Sequence, residues 1–183
     1  MKRKHLEHYI RMVFSLAELS PCVRNRFGAV IIDPKDNILV STGYNGSLRG
    51  AGSDTCGQPG QCVREDEKIQ SGTKLEIGCV HAEQNAIYNA ARQGVPLVGH
   101  WIIINGEPCL LCAKAIQQTG ISRVICVSGG YSVKNGVNLL QQSKIKVISV
   151  QEDLSDLEKA LLPEVRLDNF GFRVGKITPS PFK

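Results

Sequence analysis

Near the start of the chain, apolar side chains fall at Leu6, Tyr9, Ile10, Val13, Leu16 and Ala17. That three-and-four spacing predicts an amphipathic helix over residues 5–19. Ser20-Pro21 ends it, because the residue before a proline is pushed out of helical backbone geometry. The unbroken apolar run Gly28 to Asp33 (GAVIID) reads as a buried strand. Pro34 to Asn37 then forms a turn, and Ile38 to Asn45 is the hairpin partner. Residues 46–80 are glycine-rich and polar with no clear period. A loop that long in a compact domain usually has a function or something holding it together.

Helical spacing returns at His81 to Gln93, with Ala82, Ala86, Ala90 and Ala91 as strong formers and Gly94 as the stop. Trp101 to Asn105 is a strand, Pro108 to Thr119 a helix ended by Gly120, and Arg123 to Ser128 the next strand. Val137 to Gln142 is a short helix and Lys146 to Val150 the last strand. Strands alternating with helices after an opening hairpin predict a layered α/β/α fold. One domain over residues 1–151 accounts for this pattern. The tail 152–183 has leucines at Leu154, Leu157, Leu161 and Leu162 and an extended TPSPF end. It reads as an extension packed on the same domain or a neighbouring subunit.

Composition changes this picture little. With 183 residues, 42% hydrophobic and 21% charged, the chain is an ordinary globular protein. It has no apolar stretch long enough for a membrane span. The basic-then-apolar start MKRKHLEHYIRMVFSL is interrupted by Glu7, His8 and Arg11, which argues against a signal peptide and for a cytoplasmic setting. There, seven cysteines point to metal ligation rather than disulfides. A net charge of +5 fits an anionic small substrate and fits a solvated basic surface equally well. Aromatics at 5% do not supply the stacking surface that RNA binding calls for. Neither a nucleic acid nor a membrane is expected as a partner.

The chemistry concentrates in CVHAEQNAI (Cys79 to Ile87) and PCLLC (Pro108 to Cys112). His81, Cys109 and Cys112 offer one nitrogen and two sulfurs, a set that suits zinc. Three protein ligands leave the fourth tetrahedral position open, which is the mark of a catalytic site rather than a closed structural one. Glu83, two residues past the histidine, is placed to move protons beside it. Cys109 and Cys112 are expected to share one face of a helix, and Pro108 suits that helix's start, where amide dipoles favour thiolates. A structural zinc would not use Glu83, and a redox cysteine pair would not use His81. A non-catalytic zinc module that binds nucleotides is the reading from another class, and Glu83 speaks against it too.

Cys22, Cys56, Cys62 and Cys79 are a second set, while Cys126 sits in an apolar strand and reads as core. Four thiolates would make a closed structural zinc site tying down the irregular loop. The spacing alone leaves that reading level with four unrelated buried thiols.

These motifs resemble the deoxycytidylate (dCMP) deaminases of the cytidine deaminase superfamily. H-x-E followed by P-C-x-x-C is the zinc-deaminase signature. SPCVRNRFGAVI (Ser20–Ile31), STGYNGSLRG (Ser41–Gly50) and CGQPGQC (Cys56–Cys62) complete the match in family order. The resemblance implies a three-layer cytidine-deaminase-like fold with a five-stranded mixed sheet, commonly a homohexamer. It implies a catalytic zinc on His81, Cys109 and Cys112, with Glu83 protonating N3 and carrying a proton to the departing amine. It also implies a structural zinc on Cys22, Cys56, Cys62 and Cys79, giving two zinc ions per chain.

Further roles follow from the same resemblance. The backbone around Ala82 would hold the base and Asn45 the deoxyribose. Arg26 and Arg49 are the phosphate candidates, since a guanidinium matches phosphate in fork geometry; ordinary surface solvation is their other reading. Tyr131 is a weaker candidate for substrate or effector contact. The turn Gly43, Tyr44, Asn45, Gly46 is the place for dCTP or dTTP effectors with Mg²⁺, its glycines letting amides approach phosphate. The family usually has proline where this chain has Leu48. The product dUMP would supply thymidylate synthesis. A relative acting on dCTP, on cytidine or on a base in RNA is the alternative reading.

Overall fold

A computed structural model describes residues 1, 3–50, 62–69, 78–127 and 134–150. Within them the chain runs α1 (Arg3–Glu18), β1 (Gly28–Asp33), β2 (Ile38–Tyr44), α2 (Val63–Asp66), α3 (Ala82–Arg92) and β3 (Trp101–Ile104). It continues with α4 (Leu110–Gln118), β4 (Arg123–Val127), α5 (Lys134–Gln142) and β5 (Lys146–Val150). The proposed tail, 152–183, lies outside the described residues, as do Cys56 and Tyr131.

The five strands form one sheet in the order β2-β1-β3-β4-β5. β1 is antiparallel to both of its neighbours, whereas β3, β4 and β5 are parallel. The sheet is therefore mixed, and α4 and α5 are the crossovers that parallel neighbours require. Side chains alternate across it. Val30, Ile32, Ile103, Ile125 and Ile148 face α1, which contributes Leu6, Tyr9, Ile10 and Val13. Ala29, Ile31, Ile102, Ile104 and Val124 face the other way, against Ala86 and Ala90 of α3, Ile116 of α4 and Leu140 of α5. Both faces of the central strands are buried, which is why GAVIID and WIII read as continuous apolar runs rather than alternating ones. This is the expected three-layer α/β/α arrangement.

The boundaries moved slightly. Gly94 and Gly120 sit just past α3 and α4 with φ of 68° and 77°, the left-handed geometry that ends helices. α5 begins three residues before the predicted start, at Lys134. The stretch 46–80, read as loop, contains the short helix α2 and a two-way backbone bridge between Gly46 and Val80. Such short-range pieces leave no periodicity to detect.

Several glycines allow close approach, and two of them bring neighbours onto α3 and onto the backbone leading into α4. A Cβ at Gly43 of β2 would overlap the Ala82 carbonyl oxygen and the Ala86 amide nitrogen of α3. A Cβ at Gly136 of α5 would overlap the carbonyl oxygen of Pro108 and crowd that of Cys109. α5 therefore lies directly on the backbone that introduces α4. Gly136→Ala is expected to cost about 1–3 kcal/mol, the usual range for overpacking a tight contact, read as a lowered urea midpoint at unchanged slope.

Candidate active site

The metal-capable side chains come from two helix starts. His81 is the N-cap of α3 with extended backbone (φ −73°, ψ 158°), and Cys109 is the N-cap of α4 (φ −69°, ψ 171°). The Gln84 side chain accepts the His81 backbone N–H at 3.0 Å, which fixes the turn before α3. Cys109 Sγ accepts the Cys112 backbone N–H at 3.5 Å. Cys109 thus stands ahead of the helix rather than on its face, a correction to the reading from spacing. The amide field predicted there is present, because the sulfur caps the free N–H groups of the first turn.

The three ligand atoms converge. His81 Nδ1 lies 3.5 Å from Cys109 Sγ and 3.4 Å from Cys112 Sγ. With zinc–sulfur and zinc–nitrogen bonds of about 2.3 and 2.0–2.1 Å, a tetrahedron has nitrogen–sulfur edges of about 3.6 Å. The spacing fits zinc. Among the described residues this trio is the one group of three metal-capable side chains whose ligand atoms lie within 4.8 Å of one another. A hydrogen bond from Cys112, with another from His81, holds the Cys109 thiol down to about 4 despite partial burial.

Glu83 faces the same point. Its side chain is 8% exposed, and burial raises its carboxyl above the ordinary range while the nearby His81 charge pulls the other way. Cys109 and Cys112 are further influences on that carboxyl, which sets the acid beside the ligand set. Ala82 lies between His81 and Glu83 in the first turn of α3 and is buried. Cys126 is core as read: buried in β4, with its thiol pushed up to about 12, chiefly by that burial.

In the second cysteine set, a hydrogen bond with Cys79 is the main influence holding the Cys22 thiol down to about 5, so these two side chains adjoin. Cys62 is buried and stands at the N-cap position of α2 without a side-chain cap bond. None of Cys22, Cys62 and Cys79 is in a disulfide. Cys56 falls outside the described residues.

The polar candidates separate. Asn45 is buried, and its amide accepts from the Phe27 N–H at 2.7 Å and donates to the Asn25 carbonyl at 3.0 Å. Arg26 is exposed on the same segment. Arg49 donates to Asn89 Oδ1 at 2.6 Å. Asn89 lies eight residues past His81, about 12 Å further along the helix axis. In the turn proposed for effectors, the Asn45 N–H donates to the Phe27 carbonyl and the Gly46 N–H to the Val80 carbonyl. Tyr44 is partly exposed, with its carbonyl taken by Asn85 Nδ2 at 2.7 Å. Sequence reasoning missed Asn85 and Asn89, which take the carbonyls of Tyr44 and Thr42. Their spacing of four on a helix was the available signal. Cys112→Ser is expected to bind one zinc ion fewer than the unaltered protein by elemental analysis, with the far-ultraviolet dichroism of the fold retained.

The cytidine and deoxycytidylate deaminase zinc-binding region model matches residues 3–128, more than half of the chain. A deoxycytidylate deaminase of Mycobacterium phage D29 is 32% identical over 120 residues, covering 65% of this chain and 91% of that one. The Schizosaccharomyces pombe deoxycytidylate deaminase is 32% identical over 143 residues, which are 76% of this chain but only 42% of that longer protein. In fold, the chain is similar to the dCMP deaminase of cyanophage S-TIM5 crystallised with dCMP and dUMP. The TM-score is 0.67 at 24% identity, covering 82% of this chain and 99% of the other. With the ligand trio at zinc spacing and a buried glutamate against it, the chain belongs to the cytidine and deoxycytidylate deaminase family.

Proposed function

We propose that this protein hydrolyses dCMP to dUMP and ammonia, supplying dUMP for thymidylate synthesis. The observation that carries the reading is the buried Glu83, two residues past His81, beside a three-donor set. Three donors leave room for one further ligand, and a proton-transfer group beside that position suits hydrolysis. Named deoxycytidylate deaminases among the relatives favour dCMP as the substrate.

Zinc on His81, Cys109 and Cys112 would supply a Lewis acid that makes water acidic near neutral pH. Glu83 then does the proton work. It takes a proton from the attacking water as the new C4–O bond forms and delivers it to N3 of the ring. It then takes the proton of the new C4 hydroxyl and passes it to the exocyclic amine, so that the C4 carbonyl forms as the C4–N bond breaks and ammonia leaves. Burial helps, since a carboxyl whose pKa is raised releases its proton nearer neutral pH. By the resemblance, the Ala82 backbone would hold the base and Asn45 the sugar. Arg26 and Arg49 are the phosphate candidates, and Arg26 lies on the segment entering β1 while Arg49 reaches Asn89 well along α3.

The wider reading includes a structural zinc on Cys22, Cys56, Cys62 and Cys79 and a homohexamer regulated by dCTP and dTTP with Mg²⁺. The adjoining Cys22 and Cys79 side chains support the first. Effectors would bind outside the Asn45 and Gly46 amides, since both already donate within the protein.

Purified protein should consume cytosine absorbance with dCMP faster than with dCTP or cytidine; equal or greater loss with either would reassign the substrate. Saturation curves with dCTP or dTTP and Mg²⁺ should shift relative to dCMP alone. Glu83→Gln should keep zinc and fold yet lose about 10²–10⁴-fold in turnover. Retention of a tenth or more of the activity would remove Glu83 from the role. The metal count should be about two per chain, falling by one in Cys62→Ser. A wild-type count near one would leave the second set as buried thiols.

A further inference from the structure

β1 runs against both of its neighbours, so its entry lies beside the ends of β2 and β3. Each of those strands is followed at once by an asparagine, Asn45 after Tyr44 and Asn105 after Ile104. Each amide carries the ladder onto the segment entering β1. Asn45 takes the Phe27 N–H and the Asn25 carbonyl at 2.7 and 3.0 Å. Asn105 accepts the Gly28 N–H at 2.7 Å and donates to the Arg26 carbonyl at 3.0 Å. Successive residues 25, 26, 27 and 28 are thus each held by one side-chain amide atom.

This segment is neither helix nor sheet until Gly28, so without those bonds its backbone would sample several conformations. The clamp is also tied to the metal centre. The Phe27 ring packs so closely on Gly106 that a Cβ there would stand 2.9 Å from it. Asn105 and Gly106 lead through Glu107 and Pro108 to Cys109. The backbone atom that Asn105 Nδ2 holds belongs to Arg26, an exposed arginine beside that connection.

We propose that Asn105, with Asn45 opposite, is a positioning residue that fixes the Arg26 backbone at the rim of the metal site, so that the guanidinium is preset to receive the phosphate of a nucleotide monophosphate. This deepens the dCMP reading and rests on it. A fork donor loses less freedom on binding when its stem is already fixed, which improves substrate affinity rather than the chemical step.

The test is a double-mutant cycle on dCMP, with deoxycytidine as the substrate lacking the phosphate. Asn105→Ala should raise KM for dCMP about tenfold with kcat within about threefold, and cost less on deoxycytidine. Arg26→Gln should do the same, and the double variant should be no worse than Arg26→Gln alone, because the two act through one contact. Amide exchange at Gly28 should quicken in Asn105→Ala, a readout independent of turnover. If Asn105→Ala does not fold, Asn105→Thr takes its place; it keeps an oxygen for the Gly28 N–H and loses reach to the Arg26 carbonyl. Additive losses, or equal losses on both substrates, in a wild type that deaminates dCMP would overturn the inference alone. A wild type without dCMP turnover would overturn the proposed function and this inference with it.

Discussion

Everything in the described structure depends on bringing two helix starts to one point. The His81 nitrogen lies 3.5 and 3.4 Å from the sulfurs of Cys109 and Cys112, near enough for all three to share one small cation. The fold meets that demand with geometry and field together. α3 and α4 both begin at the site, and the Cys112 amide in the first turn of α4 donates to the Cys109 sulfur. The parallel crossover from β3 to β4 puts α4 on the same face as α3, at the carboxyl end of β3, where α/β sheets leave room for ligands. Gly43 and Gly136 then let β2 and α5 close onto those helices at backbone distance.

Around that point the environment is deliberately uneven. Cys109 and Glu83 are neighbours, yet hydrogen bonds from Cys112 and His81 favour the charged form of the first and burial favours the neutral form of the second. A donor that stays anionic holds a cation, and an acid that is easily protonated moves protons; the two tasks need opposite surroundings. Cys126, on β4 and equally part of the apolar layer, lacks such hydrogen bonds among the influences on its thiol and stays a buried thiol. Two cysteines of one chemistry on paper therefore have two different characters, and the difference is their surroundings.

The Gly43 to Gly46 stretch shows how one glycine pattern can serve different physics. Glycines in such a stretch suggest amides open to phosphate. In the structure Gly43 is small because α3 lies against it, and the Gly46 N–H is already paired with Val80. Close backbone approach is the shared requirement of both uses, so composition cannot separate them. Asparagine has a comparable hidden role here. Asn85 and Asn89 take the carbonyls of Tyr44 and Thr42 on the edge strand, covering groups that would otherwise invite another chain.

The sequence by itself determined the elements, the order of strands and helices, and the three metal-capable side chains that the fold brings together. Those are local properties: apolar period, helix stops at Gly94 and Gly120, and a short spacing among His81, Glu83, Cys109 and Cys112. It missed α2 and the Gly46–Val80 bridge because a single turn and one paired residue leave no period to read. It put Cys109 on a helix face, since spacing of three cannot distinguish an N-cap from the turn that follows it. Only the tertiary structure decided that Asn45 and Asn105, 60 residues apart in the chain, hold one four-residue segment between them. A hydrogen bond between such distant residues is set by which strands become neighbours, and β1 lying antiparallel between β2 and β3 is a property of the assembled sheet rather than of any stretch of sequence.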